Sequence, residues 1–475
     1  MGGNGGAIFI AGNDNTVNNI TTHTTRAIRI GPGPKGFGGA IFISGENAKI
    51  MDADFDTFIA SENGGTIYVE GNNASILDST FKYGSARDGN AIYIEGSGTL
   101  VSGSSFENMG VDSHTPIDPS TSGGSIYVAG NDTVITSSNF THTNAGNGGA
   151  IYVAGENTEI SQDYFFEINA VNGAGVYVAG NNTNILDSKF IRMTTTGIGG
   201  AIYLGGSKSS VASSKFSFAN ATYGGAIYID GDESFIEGSF DHCFAESKRD
   251  NASSGGAIFI EGNDATISNS NFAFSMAKDY GGCICVEGRN ANIVESRFEN
   301  CSTTGNLGGG AIFVEGFNAT ISDSNFTRNM VNISNKAHGG AIDLHGDEAK
   351  VSGCNFDFCL AYNGGAIDVE GNNAVIDDIF VIHTSAYNGG GAIYVAGNGT
   401  TISGSELTLN NATNYAGAVY VEGDNAYIAD TTFDKCSANV ENGGALYISG
   451  FNATVSNSNF TYNSANASDA QGGAI

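Results

Sequence analysis

Asp343 and His345 stand two residues apart, and Asp368 and Glu370 repeat that spacing 25 residues further on. Glu261, Glu287, Glu315 and Glu422 fall in the same column of the repeats described below. Carboxylates brought close in this way suggest three kinds of chemistry. Hard oxygen donors hold a calcium-like cation, with Asp343, Asp368 and Glu370 as its ligands. Paired carboxylates across a glycosidic bond hydrolyse it, given a groove and one carboxyl with a raised pKa. The plainest outcome is a solvated acidic face. Like charges one repeat apart repel, so the patch destabilises the chain unless it is screened or bridged. No residue is assigned a catalytic role, and calcium is the one cofactor the pattern suggests.

A second pattern is aromatic. Tyr152, Tyr177, Tyr203 and Tyr228 recur in one slot, which Phe42, Tyr68, Tyr93, Tyr127, Phe259, Phe313, Tyr394, Tyr420 and Tyr447 also hold. A strip of outward rings can bind sugars by stacking on their apolar faces, or can simply pack ring on ring. The chain has 7 cysteines. Cys243, Cys301, Cys359 and Cys436 each follow a Phe by three residues, in the slot that Asn329 and Asn463 also take, which marks small structural residues. They fall in non-adjacent repeats, too far apart to bond with one another. Cys283 and Cys285 are expected on one face of a strand, Cys354 lies near Cys359, and no spacing resembles a zinc framework. Asn-x-Ser/Thr triplets such as Asn73, Asn318 and Asn452 are glycan acceptors in a secreted protein, and also arise from an Asn- and Ser-rich repeat.

The elements that position these residues are periodic. Gly-Gly-Ala-Ile begins at Gly38, Gly148, Gly255 and Gly472, with degenerate copies between, such as Gly64-Gly65-Thr66-Ile67. Copies are mostly 25 or 26 residues apart, as from Gly199 to Gly224 and from Gly255 to Gly281. Residues 309–337 show the plan. A glycine corner leads to Ile312-Phe313-Val314-Glu315, which alternates with period two. Gly316-Phe317-Asn318 turns, Ala319-Thr320-Ile321-Ser322 makes a second strand, and Phe326 centres a third. Three short strands per repeat without helical periodicity predict an all-β fold, a single parallel β-helix solenoid of about 17 coils. Stacked at about 4.8 Å, the coils make a rod of roughly 80 Å, one continuous body over 1–475. Stacked Ile, Val and Phe form its core, and each coil depends on its neighbours for burial.

Composition narrows the function. The net charge of −30 disfavours nucleic acid and anionic membranes as partners. No apolar run is long enough for a transmembrane helix. The chain opens without a signal-peptide pattern, directly on the repeat, and stops on it. That leads to the expectation of a segment from a longer protein, whose open strand edges favour end-to-end self-association.

The consensus Gly-Gly-Ala-Ile-Tyr-Val-x-Gly-Asn-Asn-Ala-Thr-Ile-Ser-x-Ser-x-Phe-Thr resembles methanogen adhesin-like cell-surface proteins with β-helix repeats. Residues 255–272, 309–329 and 443–463 carry the likeness best. Phe326 to Asn329 and Phe460 to Asn463, with the Gly-Gly-Ala-Ile element, also look like passenger domains of chlamydial polymorphic membrane proteins. The resemblance implies a right-handed coil and an extracellular or cell-surface location. It names no ligand.

Extra residues fall in one location of the longer repeats, at 24–37, 111–122, 246–254 and 331–338. Insertions at one corner project from one side, often a binding side. The expected function is a non-enzymatic, adhesin-like surface rod, presenting these loops and the aromatic strip to host, microbial or glycan partners. A carbohydrate-active β-helix hydrolase or lyase, and a purely structural envelope spacer, are the alternatives.

Overall fold

The corners of each coil fall at residues that accept left-handed backbone. In one coil these are Gly148, Asn157, Gln162 and Glu167, with φ of 62°, 56°, 58° and 52°. Between them run strands Ile151–Val153, Glu159–Ser161 and Tyr164–Phe166, with a short fourth stretch Asn169–Asn172. A computed structural model of the chain describes residues 6–27, 36–110, 117–246, 252–468 and 470–475. It divides into two compact units, Met1–Gly238 and Ser239–Ile475. Each is an all-β parallel solenoid with three main strands per coil, consistent with right-handed winding. Among the described residues there is no α-helix, and no helix long and apolar enough to cross a membrane.

Within the first unit strands pair in parallel and in register with their counterparts one coil on. Ile151 lies opposite Val176, Tyr152 opposite Tyr177 and Val153 opposite Val178. Alternation sends Ile151 and Val153 into the core and Tyr152 to the opposite face. The third strands supply a column of buried Phe rings. Phe81, Phe106, Phe140, Phe165 and Phe190 stack at 4.8, 4.9, 4.9 and 4.5 Å. Strand spacing is close to the thickness of stacked rings, so one Phe per coil fills its share of the core. Behind them a serine file closes the backbone account: Ser79 N–H donates to Ser104 Oγ, and Ser104 N–H to Ser138 Oγ, both at 3.2 Å. The second glycine of each pair lies against the next coil; a Cβ on Gly200 would sit 1.8 Å from the Gly225 carbonyl oxygen.

The second unit repeats the plan from Ile258–Ile260 to Leu446–Ile448. Its Phe column runs through Phe240, Phe272, Phe298, Phe326 and Phe356, passes to Val381 and Leu407, and resumes at Phe433. A disulfide joins Cys283 to Cys301, with Cα atoms 5.8 Å apart. It links the Ala slot of a glycine corner to the third corner of the same coil. This corrects the expectation that Cys283 shares a strand face with Cys285: Cys283 precedes the strand and bonds Cys301, while Cys285 takes the ring slot opposite Phe259 and Phe313. Cys354, Cys359 and Cys436 are free and buried, and Cys243 is buried as well. Burial pushes the Cys354 and Cys359 thiols up to about 12 and that of Cys436 to about 11, which makes them structural rather than nucleophilic.

Candidate functional site

The ring slot is not the open strip that alternation alone suggests. In the first unit Tyr127, Tyr152, Tyr177, Tyr203 and Tyr228 stack face to face at 4.8, 5.0, 4.3 and 5.7 Å. Each face meets a neighbouring ring, so a ligand reaches these tyrosines through edges and hydroxyls. The hydroxyls answer the acidic column: Tyr203 Oη donates to Asp230 Oδ2 at 2.6 Å, and Tyr68 Oη donates to Glu95. Burial and then these carboxylates push the Tyr68 and Tyr203 phenols far above their usual range.

In the second unit the slot is covered more deeply. Phe259, Cys285 and Phe313 are buried, and the Tyr280 ring packs 4.2 Å from that of Phe313. Asp343 and Asp368 follow in the same file, in register on strands Ile342–Leu344 and Ile367–Val369. They are 1% and 0% exposed. The expected solvated acidic face is therefore corrected at its centre. The physical reason is the loops: 304–308 and 331–338 fold over this stretch, and Gly308 lies so near Asp343 that a Cβ there would meet its Oδ2.

A cleft of about 140 Å³ remains between loops and strands, lined by Tyr280, Gly308, Lys336, His338, Asp343, His345 and Glu370 among others. His345 Nε2 approaches Asp343 Oδ1 at 3.2 Å, and its Nδ1 approaches Glu370 Oε2 at 3.4 Å. The first contact is an ion pair without hydrogen-bond geometry, so Asp343 Oδ1 has no hydrogen bond; neither has either oxygen of Asp368. Burial opposes charge on His345, but Asp343, then Glu370 and Glu315, outweigh it and raise its pKa. Glu370 is held below its usual range by His338, against burial, with help from His345. Burial, then Asp343, Glu370 and Glu422, pushes the Asp368 carboxyl well up.

His338 Nδ1 lies 3.5 Å from Asp368 Oδ2 and 3.7 Å from Glu370 Oε1. The structure thus gathers Asp368 and Glu370 with His338, and sets Asp343 beside His345. Periodicity does not mark His338, Lys336 or Tyr280, because all three lie outside the repeated strands. The clue available in sequence was the length of the 331–338 insertion. Of the other insertions, Arg29, Pro32, Pro34, Lys35, Lys248 and Arg249, with 111–116, lie outside the described residues. Sequon asparagines sit in amide ladders: Asn318 donates to Asn290 Oδ1 at 3.0 Å and Asn452 to Asn425 Oδ1 at 2.8 Å.

A different file carries the exposed rings. At the third corner, side chains with positive φ point away from the core. In the first unit they include Tyr83 and Phe218, 54% and 50% exposed. In the second they include Phe274, Phe358 and Tyr462, at 48%, 49% and 84%. Basic side chains lie beside some of these rings: the Arg328 guanidinium lies 5.8 Å from the Phe358 ring centre, the His383 ring stacks on its other side at 4.8 Å, and Lys435 lies 5.9 Å from Tyr462. The sequence signal was Phe-x-aromatic, as in Phe81-Lys82-Tyr83 and Phe356-Asp357-Phe358.

No protein-family model matches this chain, and no curated protein matches it. Among solved structures the chain is similar to a tailspike protein mutant of E. coli bacteriophage HK620 in complex with a pentasaccharide, at 12% identity over 96% of this chain and 72% of that one, with a TM-score of 0.36. A second tailspike mutant of the same phage, in complex with a hexasaccharide, shows 13% identity over 82% of this chain and 61% of that one, with a TM-score of 0.30.

Proposed function

We propose that this chain is a non-enzymatic, adhesin-like solenoid of the cell exterior that binds glycan partners through its third-corner file. The observation that supports this reading is the placement of half-exposed rings among cations along that file, in a chain whose net charge is −30. The exposed ring edges suit the apolar parts of sugars, while Arg, Lys and His donate to hydroxyl or carboxylate oxygens. Each contact is weak alone, and repetition along a solenoid sums them. The stacked tyrosines at 152, 177, 203 and 228 offer hydroxyl edges to the same class of partner.

A glycan array probed with the chain, and with Phe274→Asn and Phe358→Asn together, tests this. Asn already occupies the slot at Asn108 and Asn300, both with positive φ, so the winding is expected to survive. Binding by the parent and a loss of at least about tenfold in the variant is the expected result, on the usual scale for ring truncation. A blank array, or equal binding by both proteins, rejects the reading.

One observation favours a second reading, a polysaccharide hydrolase: carboxylates converge at the cleft beside a histidine with a raised pKa. Polysaccharide cleavage that disappears in Asp343→Ala would put it in place of the first.

A further inference from the structure

The 331–338 loop brings an imidazole to a carboxylate that has no other partner. Asp368 is fully buried, and neither of its oxygens accepts a hydrogen bond. Burying such a group is strongly unfavourable unless a proton or a cation accompanies it. His338, Asp368 and Glu370 each offer one donor atom, and these three atoms lie within 4.8 Å of one another. We propose that they form a mononuclear site for a divalent transition metal of the zinc class.

Donor type and spacing favour this class over calcium. Calcium takes six to eight oxygen ligands, whereas one of the three donors here is an imidazole nitrogen. A tetrahedral zinc with bonds of about 2.1 Å holds its ligands roughly 3.4 Å apart. His338 Nδ1 already stands 3.5 Å from Asp368 Oδ2 and 3.7 Å from Glu370 Oε1, so these two pairs need little contraction, and the two carboxylate oxygens lie within 4.8 Å of each other. The cleft leaves a further coordination position for water or a ligand oxygen. His345 lies 3.4 Å from the other oxygen of Glu370 and acts as a positioning residue for it. A cation here also offsets the repulsion between Asp368 and Asp343, its neighbour one coil away. This site is independent of the third-corner file, so it can fail while glycan binding stands.

The test uses the full chain, stripped with a chelator and then freed of it. Zinc, cobalt(II) and calcium are titrated separately by calorimetry, and cobalt is also followed by its visible absorption. The expected result is one zinc per chain, tetrahedral cobalt bands, and no calcium binding. His338→Gln and Asp368→Asn are each expected to weaken zinc binding by at least about tenfold. His142→Gln, which removes a surface histidine 3.0 Å from Glu167, is expected to leave it unchanged. His338 is a partly exposed loop residue, so its variant keeps the winding. Absence of zinc binding, binding that survives both substitutions, or a preference for calcium would each overturn the proposal.

Discussion

Asp343 and Asp368 lie opposite one another on adjacent strands, both buried, in a file that Phe313 holds one coil before and Tyr394 one coil after. Two buried carboxyls in place of two rings are costly when no cation is present, and burial together with Asp343 pushes the Asp368 carboxyl well up. Asp368→Asn is therefore expected to stabilise the chelated protein by about 1–3 kcal/mol, because the new amide can donate to the Asp343 carboxylate. Denaturant midpoints in chelator check this. A lower midpoint for the variant would show that the pair does not destabilise the coil.

Asp163 interrupts a serine file, with Ser138 one coil before it and Ser188 one coil after. Ser138 N–H donates to its Oδ1 at 2.7 Å, and its Oδ2 has no hydrogen bond. Burial raises its pKa to about 8, against the pull of backbone groups at Ser138 and Ser161. The folded chain therefore keeps a proton that the unfolded chain releases above about pH 4. This contribution is complete below about pH 4 and is lost as pH rises towards about 8, at up to about 1.4 kcal/mol per unit. Asp163→Ser is expected to match the parent in stability near pH 4 and exceed it near pH 8. Parallel pH profiles for the two proteins would refute this.

Ala416 takes the first-glycine slot with φ of 53°, where the other described coils have glycine. Ala416→Gly is expected to gain about 0.5–1 kcal/mol by relieving left-handed strain. Gly417→Ala, one residue on, should instead cost more than about 2 kcal/mol, since its Cβ would sit 2.2 Å from Ser437 N and 2.3 Å from the Gly444 oxygen. Thermal melts of the two variants should move in opposite directions.

The Cys283–Cys301 bond closes a loop with a sequence separation of 18. Cys283→Ala with Cys301→Ala is expected to cost about 3 kcal/mol, and reductant should destabilise the parent by a similar amount while leaving the variant unaffected. A parent whose unfolding curve ignores reductant would contradict the bond.

The winding was legible because one rule repeats: glycine corners, alternating Ile and Val, one Phe per coil. Phe55 through Phe356 announce their neighbours by spacing alone. The side on which Tyr152 and Asp343 point was legible too, since alternation fixes it. Their coverage was not, because it depends on loops whose lengths follow no period; His338 reaches Asp368 only by way of the 331–338 insertion. Cys283 and Cys301 belong to different columns of one coil, so a reading that compares like slots between coils does not bring them together. The exposed rings at Tyr83, Phe274 and Phe358 were hidden by variety, since the same slot also holds Thr57, Asn108, Glu167, Arg192 and Lys435.

That variety follows from how the third corner is held. At Arg328 and Lys435 the backbone N–H donates to a carbonyl of the next coil, Asp357 and Thr461, so the bend does not depend on its own side chain. Each such position is a blank tile on a fixed frame. A lineage can repaint the file from acidic to basic to aromatic, one coil at a time, and so change what the molecule sticks to without altering how it folds.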